Sequence, residues 1–216
     1  SFLLADKDVD YKDYDWDGDG VVEQVFIVYA GYAEAQGASA NTIWPHSWTL
    51  PQPLELDGVS VSQYACSSEL RGRSGNEIDG IGTICHEFSH VLGLPDYYLT
   101  TSNPTVNQRY TPGAWSLMGY GNYLNGGNTP PNFSVYDKYY LGWLEPKALS
   151  TSQSLEIPAD GETTYMVSCD EKHVEAGAYR TDTVYYLENR QKEGWDAYLP
   201  GHGLLVWRVI YDESDW

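Results

Sequence analysis

The sequence predicts an α+β domain that gives way to a β-rich C-terminal part. Two strand-like apolar runs, Val21 to Tyr29 and the weakly alternating Val59 to Ala65, precede the most regular helical pattern in the chain, from Asp79 to Leu92. From about residue 150 onward, short strand-like runs take over. A length of 216 residues suits one sizeable domain, or one domain with a small appendage.

Residues 11–23 form an acidic, glycine-bearing loop, and the Val21 to Tyr29 strand follows. Residues 31–60 are turn-rich, with Trp44-Pro45-His46-Ser47-Trp48 as one aromatic island. In the helix, Asp79 is the expected N-cap, and Ile81, Ile84, Cys85, Phe88, Val91 and Leu92 form the expected buried stripe. Gly93 ends it and Pro95 stops it from resuming. Residues 100–131 are a long irregular stretch, of a length that is usually functional. Ser134 to Trp143 reads as a second helix. The strands expected beyond it are Leu155 to Pro158, Thr163 to Ser168, Thr183 to Asn189 and Gly203 to Tyr211.

Charge narrows the partners. With 12 Lys and Arg against 31 Asp and Glu, the net charge is −19, which repels nucleic acid and anionic lipid. It suits a secreted protein able to hold calcium. The 19 Tyr and 8 Trp are either ordinary β packing or, where they surface, a binding face. No apolar run approaches a membrane span and no signal peptide is present. An opening at Ser1 and an ending at Trp216 in a charged stretch lead us to expect part of a longer precursor. Cys66, Cys85 and Cys169 fit no metal spacing. A Cys66–Cys85 disulfide, leaving Cys169 over, and a pair of buried thiols are both open readings.

The most informative stretch is His86-Glu87-Phe88-Ser89-His90-Val91-Leu92-Gly93-Leu94-Pro95-Asp96. His86 and His90 are four residues apart on one helix, so both imidazoles leave the same face and can share a zinc ion. Glu87 stands beside the metal, placed to take a proton from a zinc-bound water. A third ligand must come from elsewhere. Another common choice is a glutamate on a following helix, but the first glutamate after Glu87 is Glu145. Asp96, ten residues after His86, sits where a sharp turn at Gly93 returns the chain to the metal, with Asp137 as the rival.

This pattern resembles the metzincins, whose long motif runs through a helix-ending glycine to a third His or Asp. The resemblance implies a twisted sheet with an active-site helix and a Met-turn subdomain beneath the zinc. Trp115-Ser116-Leu117-Met118-Gly119-Tyr120 matches that turn, and Tyr120 stands where several metzincins carry a tyrosine that steadies the oxyanion. More narrowly, the chain resembles the immune inhibitor A-like secreted bacterial metalloproteases. The likeness lies in Asp17-Gly18-Asp19-Gly20 ahead of Val25 to Gly31, in Gly82 through Asp96, and in the Ser-Leu-Met-Gly-Tyr turn. It continues through Asp137 to Trp143, Leu187 to Gln191 and Pro200 to Trp207. Two departures stand out: the family's upstream strands and helix are missing, and Leu99 replaces a commonly acidic residue.

A second acidic group, Asp15, Asp17, Asp19 and Glu23 with Gly20, matches a calcium loop of the DxDxDGxx(D/E) kind, or else an acidic surface turn. It is no full EF-hand, because a strand follows it rather than a helix. His46 and His202 read as structural, and His173 as an exposed loop residue.

The expectation is thus a catalytic domain over residues 1–148 followed by a β-rich segment over 149–216. Its activity is extracellular hydrolysis of protein or peptide substrates with zinc, Glu87 as base and Tyr120 assisting, and with calcium in a supporting role. The alternative is a secreted or surface binding module that keeps a zinc site without useful catalysis.

Overall fold

The computed structural model describes residues 1–98, 111–169, 173–175, 178–180 and 183–210. It is α+β, with mixed sheets and few helices. The chain divides into two units, Ser1–Leu94 with Gly126–Asn128, and Pro95–Asn125 with Thr129–Trp216.

The first unit opens with a short helix, α1 (Phe2–Ala5), and is built on a three-stranded sheet of β1 (Val25–Tyr32), β2 (His46–Leu56) and β3 (Val59–Leu70). The order is β1-β3-β2, with β1 parallel and β2 antiparallel to the central β3. Strand β2 was not foreseen, since residues 31–60 read as turns. Pro51 and Pro53 cannot donate ladder hydrogen bonds, which obscured it. The structure accommodates them on an edge strand whose register breaks between Thr49 and Leu54. A usable signal was present in Asp57-Gly58, which closes the β2–β3 hairpin with φ of 53° and 84°, the left-handed pair a two-residue hairpin needs. Phe2, Tyr11, Val22, Leu56, Val59 and Val61 form the core of this unit.

Helix α2 (Ile81–Val91) packs on β2 and β3. Its N-cap is Gly80 rather than the expected Asp79, whose carboxylate accepts the Gly80 N–H at 2.9 Å and Gln36 Nε2 at 2.8 Å. Glycine is required there because a Cβ would collide with the Gly127 backbone. The expected buried stripe is corrected too. The helix buries Gly82, Thr83, His86, Glu87 and Ser89, while Ile81 and Phe88 are 42% and 41% exposed. Small residues and the polar motif form the fully buried face, while Ile84, Cys85, Val91 and Leu92 are only half-buried. The disulfide reading also falls, because Cys66 and Cys85 are free thiols. Cys66 Sγ lies 3.4 Å from His46 Nδ1 on the neighbouring strand.

The second unit carries a four-stranded sheet of β4 (Lys147–Ala148), β5 (Tyr165–Cys169), β8 (Thr183–Arg190) and β9 (Gly203–Ile210), in the order β4-β5-β8-β9. A small hairpin, β6 (His173–Glu175) with β7 (Ala178–Arg180), is separate from that sheet, so His173 begins a strand rather than lying in a loop. Residues 155–158 form no strand. Helix α3 (Val135–Tyr140) starts at a capping box between Ser134 and Asp137. Val135, Tyr136 and Tyr186 centre the core here, with the Tyr136 and Tyr186 rings 5.5 Å apart, so part of the tyrosine wealth is β packing. Leu99 and the first part of the long irregular stretch lie outside the described residues. No helix among the described residues is long and apolar enough to cross a membrane.

Candidate active site

The exit from α2 explains how an eleven-residue stretch brings its polar groups together. Gly93 adopts φ 97°. Its N–H donates to His90 O at 3.0 Å and the Leu94 N–H donates to Ser89 O at 3.1 Å, the paired bonds of a Schellman motif. Leu94, 1% exposed, pins the turn from the inside. Its carbonyl accepts from His90 Nδ1 at 2.7 Å. A carbonyl can only accept, so the proton sits on Nδ1 and Nε2 carries the ring's lone pair.

His86 and Glu87 are buried, and the His86 and His90 rings lie 4.9 Å apart at 85°. His86, His90 and Asp96 each offer one ligand atom, and the three atoms lie within 4.8 Å of one another. Two imidazole nitrogens and one carboxylate oxygen are the donor set of a catalytic zinc site that keeps a fourth position open. The residues present therefore fit zinc. The rival ligand, Asp137, is otherwise engaged. It is fully buried, and its Oδ2 accepts both the backbone N–H and the hydroxyl of Ser134 at 2.8 Å. Its Oδ1 accepts the Tyr97 hydroxyl at 2.8 Å.

Several neighbours of the motif were not legible in advance. Burial raises the Cys66 thiol pKa, with the nearby Glu87 charge adding to it. Burial, then Cys66 and more weakly Asp79 and Glu87, push the Tyr29 phenol up to about 12 against a hydrogen bond with Ser68 that lowers it. His46 Nε2 sits 3.0 Å from the Tyr64 hydroxyl, in keeping with the structural role expected of it. Tyr97 was also missed. Burial and the adjacent Asp137 raise its phenol far above the ordinary value, so it remains a proton donor. No residue spacing announces such a pair, because its members are 40 positions apart.

In the second unit Met118 is wholly buried, and its carbonyl accepts the Tyr97 N–H at 2.8 Å. The turn around it closes through Gly119 N–H to Ser116 O at 3.1 Å and Tyr120 N–H to Gly113 O at 2.9 Å. Tyr120 is half exposed, its ring stacked on Tyr98 with centroids 5.6 Å apart.

Away from this site, carboxylate oxygens of Asp15, Asp17 and Asp19 also lie within 4.8 Å of one another. Asp15 accepts the N–H groups of Gly18 and Gly20 at 2.9 and 3.0 Å. Glu23 stands outside that trio, with Oε1 accepting the Trp16 N–H at 3.0 Å. Its Oε2 is buried without a hydrogen-bond partner among the described residues.

Residues 4–144 match the family model described as immune inhibitor A peptidase M6, catalytic domain. The chain belongs to that family. It is similar to immune inhibitor A of Bacillus thuringiensis subsp. alesti, 29% identical over 134 residues, covering 57% of this chain and 19% of that protein. It is also similar to the pre-pro-metalloprotease PrtV of Vibrio cholerae serotype O1, 30% identical over 179 residues, covering 69% of this chain and 18% of that protein. The chain thus spans about a fifth of the length of these relatives. The His86-Glu87-x-x-His90 stretch lies inside the matched region.

Proposed function

We propose that this M6 chain is the catalytic part of an extracellular zinc endopeptidase built on the metzincin plan. The observation that carries the proposal is the convergence of His86, His90 and Asp96 ligand atoms within 4.8 Å of one another, next to a buried Glu87 on the same helix. When bound, zinc makes a coordinated water acidic near neutral pH and polarises the scissile carbonyl. The chain's own residues do the rest. Glu87 accepts the proton of the attacking water on its carboxylate and delivers it to the departing amine. Leu94 O holds the Nδ1 proton of His90, fixing the tautomer that presents Nε2. Tyr120, half exposed, donates its hydroxyl to the developing oxyanion, and Met118 belongs to the Met-turn. The family match ends at residue 144 and supports a catalytic domain over residues 1–148, with 149–216 as a β-rich extension.

The test is a quenched-peptide or casein assay on the metal-analysed protein. One zinc per chain and cleavage abolished by phenanthroline are expected. Metal-replete protein that cleaves nothing would favour a binding module instead, a reading that the exposed Trp16 and Trp48, at 80% and 64%, would then serve.

Calcium in the Asp15–Asp17–Asp19 loop is the second part of the proposal. Three carboxylates this close repel unless a cation joins them, and the buried Glu23 Oε2 has no hydrogen-bond donor among the described residues. The loop is tied to β3 by Ser60 N–H to Gly20 O at 2.8 Å, so order gained there reaches the sheet. Calcium should raise the melting temperature and EGTA should lower it. A flat response to both removes the site.

A further inference from the structure

We propose that Tyr97 and Asp137 form a positioning clamp for Asp96, holding the third metal ligand at its station. This rests on the reading of Asp96 as a ligand.

Asp96 reaches the motif on a stretch with no regular secondary structure, where nothing periodic fixes its backbone. The structure supplies the fixing locally, through the next residue. The Tyr97 N–H, part of the peptide plane that begins at Asp96, donates to Met118 O at 2.8 Å. The Tyr97 hydroxyl donates to Asp137 Oδ1, also at 2.8 Å. Backbone and side chain of one residue are thus anchored at two separate points, which leaves the preceding Cα little freedom to rotate. Hydrogen bonds to the groups that flank a metal ligand orient it, and a loose ligand binds metal weakly.

Asp137 is over-provided for the capping role alone. A capping box asks for one side-chain oxygen at the third helical position, and Oδ2 already meets that need with both bonds from Ser134. Burying the whole carboxylate is costly unless every lone pair direction is used, and the second oxygen is spent on Tyr97. The base of the clamp is itself held. Arg190 donates to Asn132 O at 3.1 Å, and the Asn132 N–H donates to Asp196 Oδ1 at 2.9 Å, two residues before Ser134.

The experiment uses the full chain and reads zinc affinity by chelator competition, the visible spectrum of the cobalt(II)-loaded protein, and the melting temperature of the apo form. Tyr97→Phe should weaken zinc binding about 10- to 100-fold and alter the cobalt bands, and Asp137→Asn should do the same. Ser134→Ala removes the hydroxyl bonded to Asp137 Oδ2 but keeps the Tyr97 bond to Oδ1. It should lower the apo melting temperature while weakening zinc binding less than Tyr97→Phe does. In an Asp96→Ala background, Tyr97→Phe should have no further effect on zinc affinity. Wild-type zinc affinity in Tyr97→Phe, or losses from Tyr97→Phe and Asp96→Ala that simply add, would overturn the clamp. Wild-type affinity in Asp96→Ala would instead overturn the ligand reading on which it rests.

Discussion

Glu87 is a buried carboxylate on a helix face otherwise lined by Gly82, Thr83, His86 and Ser89, so its surroundings give it little solvent to share a proton with. A buried base held near a metal is worth about 10²- to 10⁴-fold in rate. Glu87→Ala should therefore retain zinc at one per chain and lose peptide cleavage by at least that factor, read by metal analysis alongside a quenched-peptide assay. Equal turnover in the two proteins would refute Glu87 as the base. His86, Glu87, His90 and Asp96 could be picked out of the sequence because helical periodicity and one glycine relate them locally. Tyr97 with Asp137, and Cys66 with His46, could not, since their partnerships arise only when distant segments fold together.

Elements were legible where local chemistry and tertiary demand agree. The end of α2 followed from Gly93 and Pro95, and α3 (Val135–Tyr140) falls inside the Ser134 to Trp143 run read as a helix, ending three residues earlier. They were illegible where the two conflict. Two prolines concealed β2, and the apolar stripe of α2 misled in part because the helix turns His86, Glu87 and Ser89 to its fully buried face while Ile81 and Phe88 stay exposed. The exit turn makes a sharp prediction. Gly93 holds φ 97°, where an added Cβ costs about 1–2 kcal/mol. Gly93→Ala should lower stability by that amount in urea titration. Because the Schellman bonds also set the course of the chain from His90 to Asp96, it should weaken zinc binding as well. A Gly93→Ala protein with unchanged zinc affinity would show that the turn does not govern the third ligand.

At the scale of the whole molecule, a chain with net charge −19 has few cations to neutralise the carboxylates it buries, and the second unit concentrates the problem on Arg190. Its Nε donates to Asp196 Oδ2 at 2.7 Å, its Nη2 donates to Asp196 Oδ1, and its Nη1 lies 3.4 Å from Glu188 Oε1. Glu188 Oε1 also accepts from Trp207 Nε1 at 2.6 Å. The two acids respond oppositely. Burial raises the Glu188 pKa despite Arg190, whereas for Asp196 the bonds from Arg190 outweigh burial and hold it below its ordinary 3.8. A depressed carboxylate contributes stability above its unfolded pKa and loses it as pH falls through the folded value. A raised one does the reverse, so Glu188 works against the folded state once pH climbs above 4.5. Asp196→Asn leaves Arg190 buried with its principal partner neutralised, which should cost about 3 kcal/mol at pH 7. The gap between wild type and variant should persist down to pH 3.8 and narrow below it, as the wild-type Asp196 takes up its proton. Urea unfolding of both proteins at pH 7 and near pH 3 measures the gap directly. A gap that is the same at both values would mean that Asp196 stabilises the β-rich unit by shape alone and that its charge is incidental.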